Sequence, residues 1–556
     1  MWTCSILYSN IAYFTPARLA ICVRVTIALF SVTYFQPDEY FQALEPAHDL
    51  VFGYGRLTWE WRVNPPIRSV FFPMLFAPVY WVLKVASLDG SDMLIWAPKI
   101  VQGLFASITD IAICRLARNV LGERYVPTAF ILSLTSLFHL QALSRTLSNS
   151  LETSLTTLAL SDWPFSTVNS SQQLIKPIIV AALACMIRPT NAIIWSFLVL
   201  ELSWRIRHDL GHVWRVWIQL FAVGMVACVT QFLLDSWYFG NATFTSLNFF
   251  LMNMSPVSTF YGRNSWHYYL TQGIPVLCNV VSPWFIYGMW CVLWTGMPPV
   301  RRLASLIVWT MFVYSLAAHK EWRFMHPLLP AMHVLSSKTL VDTKEDLPNN
   351  TNRKIWYITT IMISTIAPYL LFVQSRAQIA VMHRLRSVPV NELHSVGFLT
   401  PCHSTPWQSH LHRPHLTDNL LWALGCEPPI GGQSLNEYQD QSDVFYATPI
   451  AYLRTRFPNT VDPHFPPSQF PASIPGSRGA TNETWVHSWP SHLVFFGSLL
   501  ESDGVQALLE ALGYQQIWNG WNGWEQDKRR RGGVRLWAWQ SHGTRTLLLP
   551  TPVSRR

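Results

Sequence analysis

Residues 36–62 read QPDEYFQALEPAHDLVFGYGRLTWEWR, an acidic stretch set between two apolar runs, and that contrast decides the fold class. Asp38, Glu39, Glu45, Asp49 and Glu60 share it with His48, Trp59 and Trp61. The run before it, near 18–35, approaches the length that crosses a bilayer, so the acidic stretch is predicted at a membrane surface. Its carboxylates are spaced irregularly and are not i,i+4 partners of Lys or Arg. Two readings stand. Acids at a water–lipid boundary suit abstraction of a hydroxyl proton, because partial burial raises a carboxylate's proton affinity. Alternatively, the loop is only structured and its acids cap helices.

Working outward, the rest of the chain repeats the contrast. Of 556 residues, 50% are hydrophobic and only 13% charged, about half the charge of an average soluble protein. Apolar runs recur near 67–86, 94–117, 125–143, 151–163, 174–203, 214–238, 274–296, 303–318, 324–337 and 354–374. The expectation is a polytopic α-helical membrane protein with about eleven spans. Leu19–Phe35 reads as a retained first span, since Met1–Pro16 lacks the basic start of a cleavable signal. Run 174–203 is interrupted by Arg188-Pro189-Thr190-Asn191 and is one broken span or two short ones. Run 67–86 counts as a span or as a re-entrant helix. Arg205, Arg207, Arg301 and Arg302 mark cytosolic ends, as do Arg115, Arg118 and Arg124. A cytosolic N-terminus then puts loops 36–66 and 239–273, the turn after Ala318, and everything beyond about residue 376 on the lumenal side.

This divides the chain into a transmembrane module, 1–376, and a lumenal mixed α/β domain, 377–556. In the second part, Ser491–Leu500 and Val534–Ser541 read as buried strands, with an amphipathic helix between them over Ser502–Tyr514, ended by Gly513. Sequons at Asn241 and Asn482 fall on the lumenal side. The net charge of +9 gathers in short loops and in Lys528–Arg535 (KRRRGGVR). That distribution fits membrane topology and anionic headgroups, and no nucleic-acid partner is expected. Nine cysteines form no CxxC pair. Cys402 and Cys426, in the lumenal part, are a candidate disulfide.

Four further stretches carry ionisable groups. His319-Lys320-Glu321-Trp322-Arg323-Phe324 lies between two apolar runs, where charge is costly. Lys320 and Arg323 could hold a phosphate, or Glu321 and Arg323 pair at a helix end. In Arg145–Glu152, Asn149 or Ser150 caps a helix and Glu152 suits its N-terminus, which leaves Arg145 unexplained. Phe260–Gly273 (FYGRNSWHYYLTQG) offers Arg263 and His267 among aromatics, as a sugar platform or as an interfacial belt. His403, His410, His412 and His415 match no standard zinc spacing, so no metal is expected. With no Walker loop, GxGxxG or lumenal DxD, a lipid-borne donor is more natural than a nucleotide.

Pro37–Arg62, Arg145–Thr153, Arg188–Asn191, Asp235–Phe250, Phe260–Gly273, His319–Phe324 (HKEWRF) and Pro401–His412 (PCHSTPWQSHLH), in this order, resemble glycosyltransferase family 22, of GT-C fold. DVFYATP (Asp443–Pro449) extends the likeness, and Tyr268 stands where relatives tend to have Trp. TWEW (Thr58–Trp61) with PCHSTP points to the branch acting on GPI anchors. The resemblance implies an inverting, cofactor-free mannosyltransferase of the endoplasmic reticulum membrane. It would move mannose from dolichyl-phosphate-mannose to the 2-hydroxyl of the second mannose of a GPI precursor glycolipid. Asp38 would be the base and Glu39 its neighbour; His319, Lys320 and Arg323 would face the donor phosphate; Arg145, Glu60, Arg263 and His267 are weaker substrate contacts. The alternatives are a transferase of N-glycan precursor assembly and a non-catalytic transporter or scaffold.

Overall fold

The computed structural model describes residues 15–166, 174–346, 349–430, 438–468 and 486–540; the Asn482 sequon lies outside them. The chain forms two compact units, Met1–Val373 with Trp407–His410, and Gln374–Pro406 with Leu411–Arg556. The sequence assigns Trp407–His410 to the 377–556 domain. Contacts correct this: Glu45 Oε1 accepts the backbone N–H groups of Trp407 (3.1 Å) and Ser409 (2.9 Å), drawing the segment into the first unit.

The first unit is helical. Its first described helix, Pro16–Phe30, begins with Pro16, whose missing N–H needs no partner there, and Thr15 Oγ1 accepts the Arg18 N–H at 3.4 Å. It meets Met93–Val120 at Gly103, where a Cβ would stand 2.8 Å from Val25 Cα, so only glycine lets the two backbones approach. Beside this crossing Arg24 and Asp110 are both fully buried and joined by two hydrogen bonds of 2.6 and 2.9 Å. Ser133 completes the group, donating from Oγ to Asp110 and accepting from Arg24 at its carbonyl. Charge buried this deeply is tolerable only when it is paired and most of its polar atoms are filled; here Arg24 Nη1 is left without a hydrogen-bond partner among the described residues.

Among the described residues three helices, Met93–Val120, Leu210–Phe239 and Tyr269–Val292, are long and apolar enough to cross a membrane. Leu210–Phe239 turns Trp214, Phe221, Val226 and Trp237 outward, the surface a lipid-facing helix presents. Other apolar runs resolve into shorter pieces. Run 67–86 becomes Phe71–Met74 and Ala77–Val85; run 174–203 becomes Ile175–Ile187 and Ala192–Arg205 about the turn Pro189–Asn191. Run 151–163 lies in the helix Ser148–Ser161, which is buried nearly all round. Its 14 residues reach about 21 Å, short of a bilayer core of about 30 Å. Burial of so polar a helix is possible because its hydroxyls satisfy themselves one turn back, Thr153 on the Asn149 carbonyl and Thr157 on that of Thr153, both at 2.7 Å.

The second unit holds a five-stranded mixed sheet of order β2-β1-β3-β5-β4. The strands are β1 (Val396–Leu399), β2 (Leu421–Ala423), β3 (His492–Phe496), β4 (Tyr514–Gly520) and β5 (Val534–Trp539). β1 runs parallel to both β2 and β3, and β5 antiparallel to β3 and β4. β3 and β5 occupy the two stretches read as strands. The helix between them is Val505–Ala511, with Gly513 beyond it at φ +95°, a conformation that favours glycine. β4 went unread because a register shift between Gln516 and Trp518 breaks its alternation. Cys402 and Cys426 are joined as a disulfide, Cα atoms 5.9 Å apart, tying the turn after β1 to the one after β2.

Candidate active site

The acidic stretch folds into a π-turn, Tyr40–Leu44, followed by helices Glu45–Phe52 and Trp59–Arg62. Gly53, in the left-handed region at φ +81°, closes the first of these helices. Each acid then goes a different way. Glu39 turns inward and pairs with Arg145 at 3.2 Å. Burial pushes its carboxyl up, against the pull of Arg145 and Lys99. Glu60 receives Nε of Arg68 at 3.0 Å and Nε2 of Gln42 at 3.2 Å. Glu45 is fully buried; burial lifts it to about 7, against the hydrogen bonds from Ser409 and Trp407. Asp38 points elsewhere, to the HKEWRF turn.

That turn is the 3₁₀ segment Trp322–Leu328, seated on Phe138, whose ring packs against Trp322 (5.4 Å) and His326 (4.8 Å). Arg323 Nη1 donates to Asp38 Oδ2, while its Nε and Nη2 grip the two oxygens of Glu321. His319 Nε2 lies 3.1 Å from the same Glu321 carboxylate. Burial works against the Glu321 carboxylate, but Arg323 and His319 outweigh it and hold its pKa well below the usual range. The hydrogen bond to Glu321 raises His319, against burial. First-loop acid and later-turn cation, 285 residues apart in sequence, thus meet in one ion pair.

His319 and Lys320 also hold the 260–268 loop. His319 Nδ1 stands 3.1 Å from the Gly262 carbonyl, and Lys320 Nζ donates to Asn264 O at 2.9 Å and to Ala317 O. Asn264 returns a bond of 2.7 Å to the Lys320 carbonyl. The loop leaves Arg263, Trp266 and His267 exposed, whereas Tyr268 is buried. His267 Nδ1 is 3.3 Å from Thr271 Oγ1. Asn241 is exposed, its Oδ1 accepting from Thr243 Oγ1 at 2.5 Å.

Two readings near Arg145 are corrected. Its guanidinium is filled internally by Gln141 O, Thr33 O, Thr33 Oγ1 and Glu39 Oε2, which leaves no face for a substrate. Asn149 and Ser150 are not caps, because the helix starts at Ser148; Ser150 Oγ bonds the Ala142 carbonyl. Glu152 pairs with Arg188 at 3.3 Å and accepts from Asn191 at 2.9 Å. Arg188 lies across the Phe324 ring (5.3 Å), which Arg323 also approaches (5.8 Å).

The histidines of the PCHSTP stretch scatter. His410 packs edge-on to Tyr40 (5.2 Å), and His415 Nε2 lies 3.1 Å from Leu393 O. Among the described residues the one group with metal-binding spacing is Cys402, His403 and Cys426, but the disulfide takes both thiols.

Residues 17–412 match the Alg9-like mannosyltransferase family. The chain belongs to it. Similar relatives are "GPI mannosyltransferase 3" of Yarrowia lipolytica, 36% identical over 95% of this chain and 97% of that one, and "GPI alpha-1,2-mannosyltransferase 3" of Mus musculus, 34% identical over 79% and 78%. The fold is similar to that of ArnT from Cupriavidus metallidurans, solved bound to undecaprenyl phosphate: TM-score 0.56 at 13% identity, over 93% of this chain and 97% of that one. That likeness gives a GT-C membrane glycosyltransferase fold.

In this Alg9-like chain the site therefore unites an accepting carboxylate, Asp38, with Arg323, and Arg188 stands beside them across the Phe324 ring. Sequence reasoning passed over Arg188 as a site residue, although it carried a usable signal, a cation inside an apolar run. A cavity of about 520 Å³ opens beside Pro189, lined by apolar side chains of Ile175–Ile187, Ala192–Arg205 and Leu210–Phe239, Trp195, Trp217 and Leu220 among them.

Proposed function

We propose that this enzyme adds the third mannose of a GPI anchor. It would transfer mannose from dolichyl-phosphate-mannose to the 2-hydroxyl of the second mannose of the GPI precursor, in an α-1,2 link, with no cofactor. The observation that carries the reading is the Asp38–Arg323 pair, set in a chain of the Alg9-like mannosyltransferase family. The names of the relatives support the acceptor. We place the enzyme in the endoplasmic reticulum membrane, with about eleven spans and with site and C-terminal domain lumenal.

In this mechanism Asp38 takes the acceptor's hydroxyl proton as that oxygen bonds to the donor's C1, on the face opposite phosphate. The C1–O bond to phosphate breaks, so a β-linked donor gives an α-linked product. Dolichyl phosphate leaves with the electron pair, and Arg323 and Arg188 oppose its growing charge. His319 and Lys320 are assigned to holding the 260–268 loop over the turn, on the strength of their bonds to Gly262 and Asn264. The apolar cavity beside Pro189 is of the right character for the isoprenoid chain, next to the Arg188 that would meet its phosphate.

The test is lipid analysis of cells lacking the protein. A GPI intermediate with two core mannoses is expected to accumulate and to disappear when the gene is restored. A truncated N-glycan oligosaccharide lipid would favour the N-glycan branch, and accumulation of neither would overturn a transferase reading.

A further inference from the structure

The second unit carries a loop that this chemistry does not use. Between β4 and β5 residues 520–533 read GWNGWEQDKRRRGG. Trp521 is 72% and Trp524 66% exposed, in a unit that buries Trp422, Trp489 and Trp537 in its core. A short basic turn, Lys528–Arg530, follows. Arg529 is shared by Asp527 and Asp443, and Arg530 leans on Asp527, while Lys528 and Arg531 are exposed. Across 521–531 four cations meet two acids, Glu525 and Asp527, so four minus two leaves a charge of +2.

The loop's base is fixed. The Asn522 carbonyl accepts the Ser375 N–H at 2.9 Å, and Asn522 Oδ1 accepts the Ala377 N–H at 3.1 Å. Glu525 Oε1 accepts from Ser375 Oγ (2.9 Å) and from Asn522 Nδ2 (2.6 Å). Ser375 comes three residues after Phe372, the last residue of helix Asn349–Phe372, the final long apolar run. Three residues span at most about 10 Å. The indoles are therefore tethered to the point where the chain leaves that run.

We propose that this loop is an interfacial anchor, with Trp521 and Trp524 seated in the phospholipid headgroup layer and Lys528 and Arg531 against lipid phosphates. Indoles favour that layer because one edge is apolar and the N–H stays wet. Cations beside them add attraction to anionic lipid. The inference rests on 354–374 being a span, part of the proposed topology, and not on the reaction catalysed.

The test uses the full chain reconstituted in phosphatidylcholine liposomes containing phosphatidylinositol, with a benzophenone amino acid introduced singly. It replaces Trp521, exposed Gln506 on the helix of the same unit, or exposed Ile361 on the apolar helix. Probes at 521 and 361 are expected to give phospholipid adducts, the former at least about fivefold above the probe at 506. Yield at 521 no higher than at 506, with adducts still formed at 361, would overturn the anchor alone. Absence of adducts at 361 would overturn the span and the anchor with it, leaving the transferase reading to its own lipid analysis. Lys528→Glu with Arg531→Glu is expected to cut the 521 adduct at least about fivefold; an unchanged yield would refute the phosphate contact.

Discussion

Asp38→Asn keeps the shape of the side chain and removes its charge. Arg323 would keep its two bonds to Glu321, and the turn its seat on Phe138, so the fold is expected to hold. What disappears is the acceptor for the hydroxyl proton. A positioned base contributes about 10²–10⁴ in rate, or about 2.7–5.5 kcal/mol of barrier. The upper part of that range is expected, since three of the four other first-loop acids are committed elsewhere: Glu39 to Arg145, Glu60 to Arg68, and Glu45 to Trp407 and Ser409. The assay is single-mannose transfer from synthetic dolichyl-phosphate-mannose in microsomes of cells lacking the endogenous protein, with abundance read by immunoblot. Glu321→Gln controls for disturbance of the same guanidinium. It leaves Asp38 in place and is expected to cost about ten- to a hundredfold, the worth of one charged hydrogen bond. A rate for Asp38→Asn within about threefold of the parent, or losses equal in the two variants, would refute the base assignment.

Three other outcomes are expected. Asp110→Ala strands Arg24 without a counter-charge in a fully buried site and should cost about 3–5 kcal/mol; thermal unfolding in detergent measures it, and an unchanged midpoint would contradict the pair. Cys402→Ser with Cys426→Ser opens a loop of sequence separation 24 and should cost about 3 kcal/mol, read by the same assay and by the gel shift on reduction. Glu45 is raised by burial from 4.5 to about 7, so the folded state holds its proton more tightly than the unfolded chain. Its contribution is complete below 4.5 and lost as pH rises through about 7. Glu45→Gln should therefore flatten the fall in unfolding temperature across that window, and a slope equal to the parent's would argue against it.

The meeting of Asp38 with Arg323 was legible because ionisable residues at the edges of apolar runs are costly and cluster where something uses them. The aim of each carboxylate was not legible. Glu39 and Arg145 are 106 residues apart, and nothing local marks them as partners. Lys320 looks like a phosphate ligand by residue type, yet its ammonium donates to the Asn264 carbonyl, 56 residues away, and to that of neighbouring Ala317. Composition also says little about a helix's surroundings: Ser148–Ser161 is rich in hydroxyls yet buried nearly all round, because those hydroxyls bond carbonyls one turn back. Strands β3 and β5 could be read from unbroken apolar runs, whereas the bulge in β4 hid it.

The four residues Trp407–His410 set the order in which this enzyme can be finished. The backbone groups that satisfy the Glu45 carboxylate emerge from the ribosome more than 360 residues after it. A nascent chain paused at residue 376 has all its proposed membrane helices and still lacks a counterpart for that acid. The family match ends at residue 412, just past this segment. A truncation made at the apparent domain border therefore removes both backbone donors of a fully buried acid and leaves the first unit unfinished.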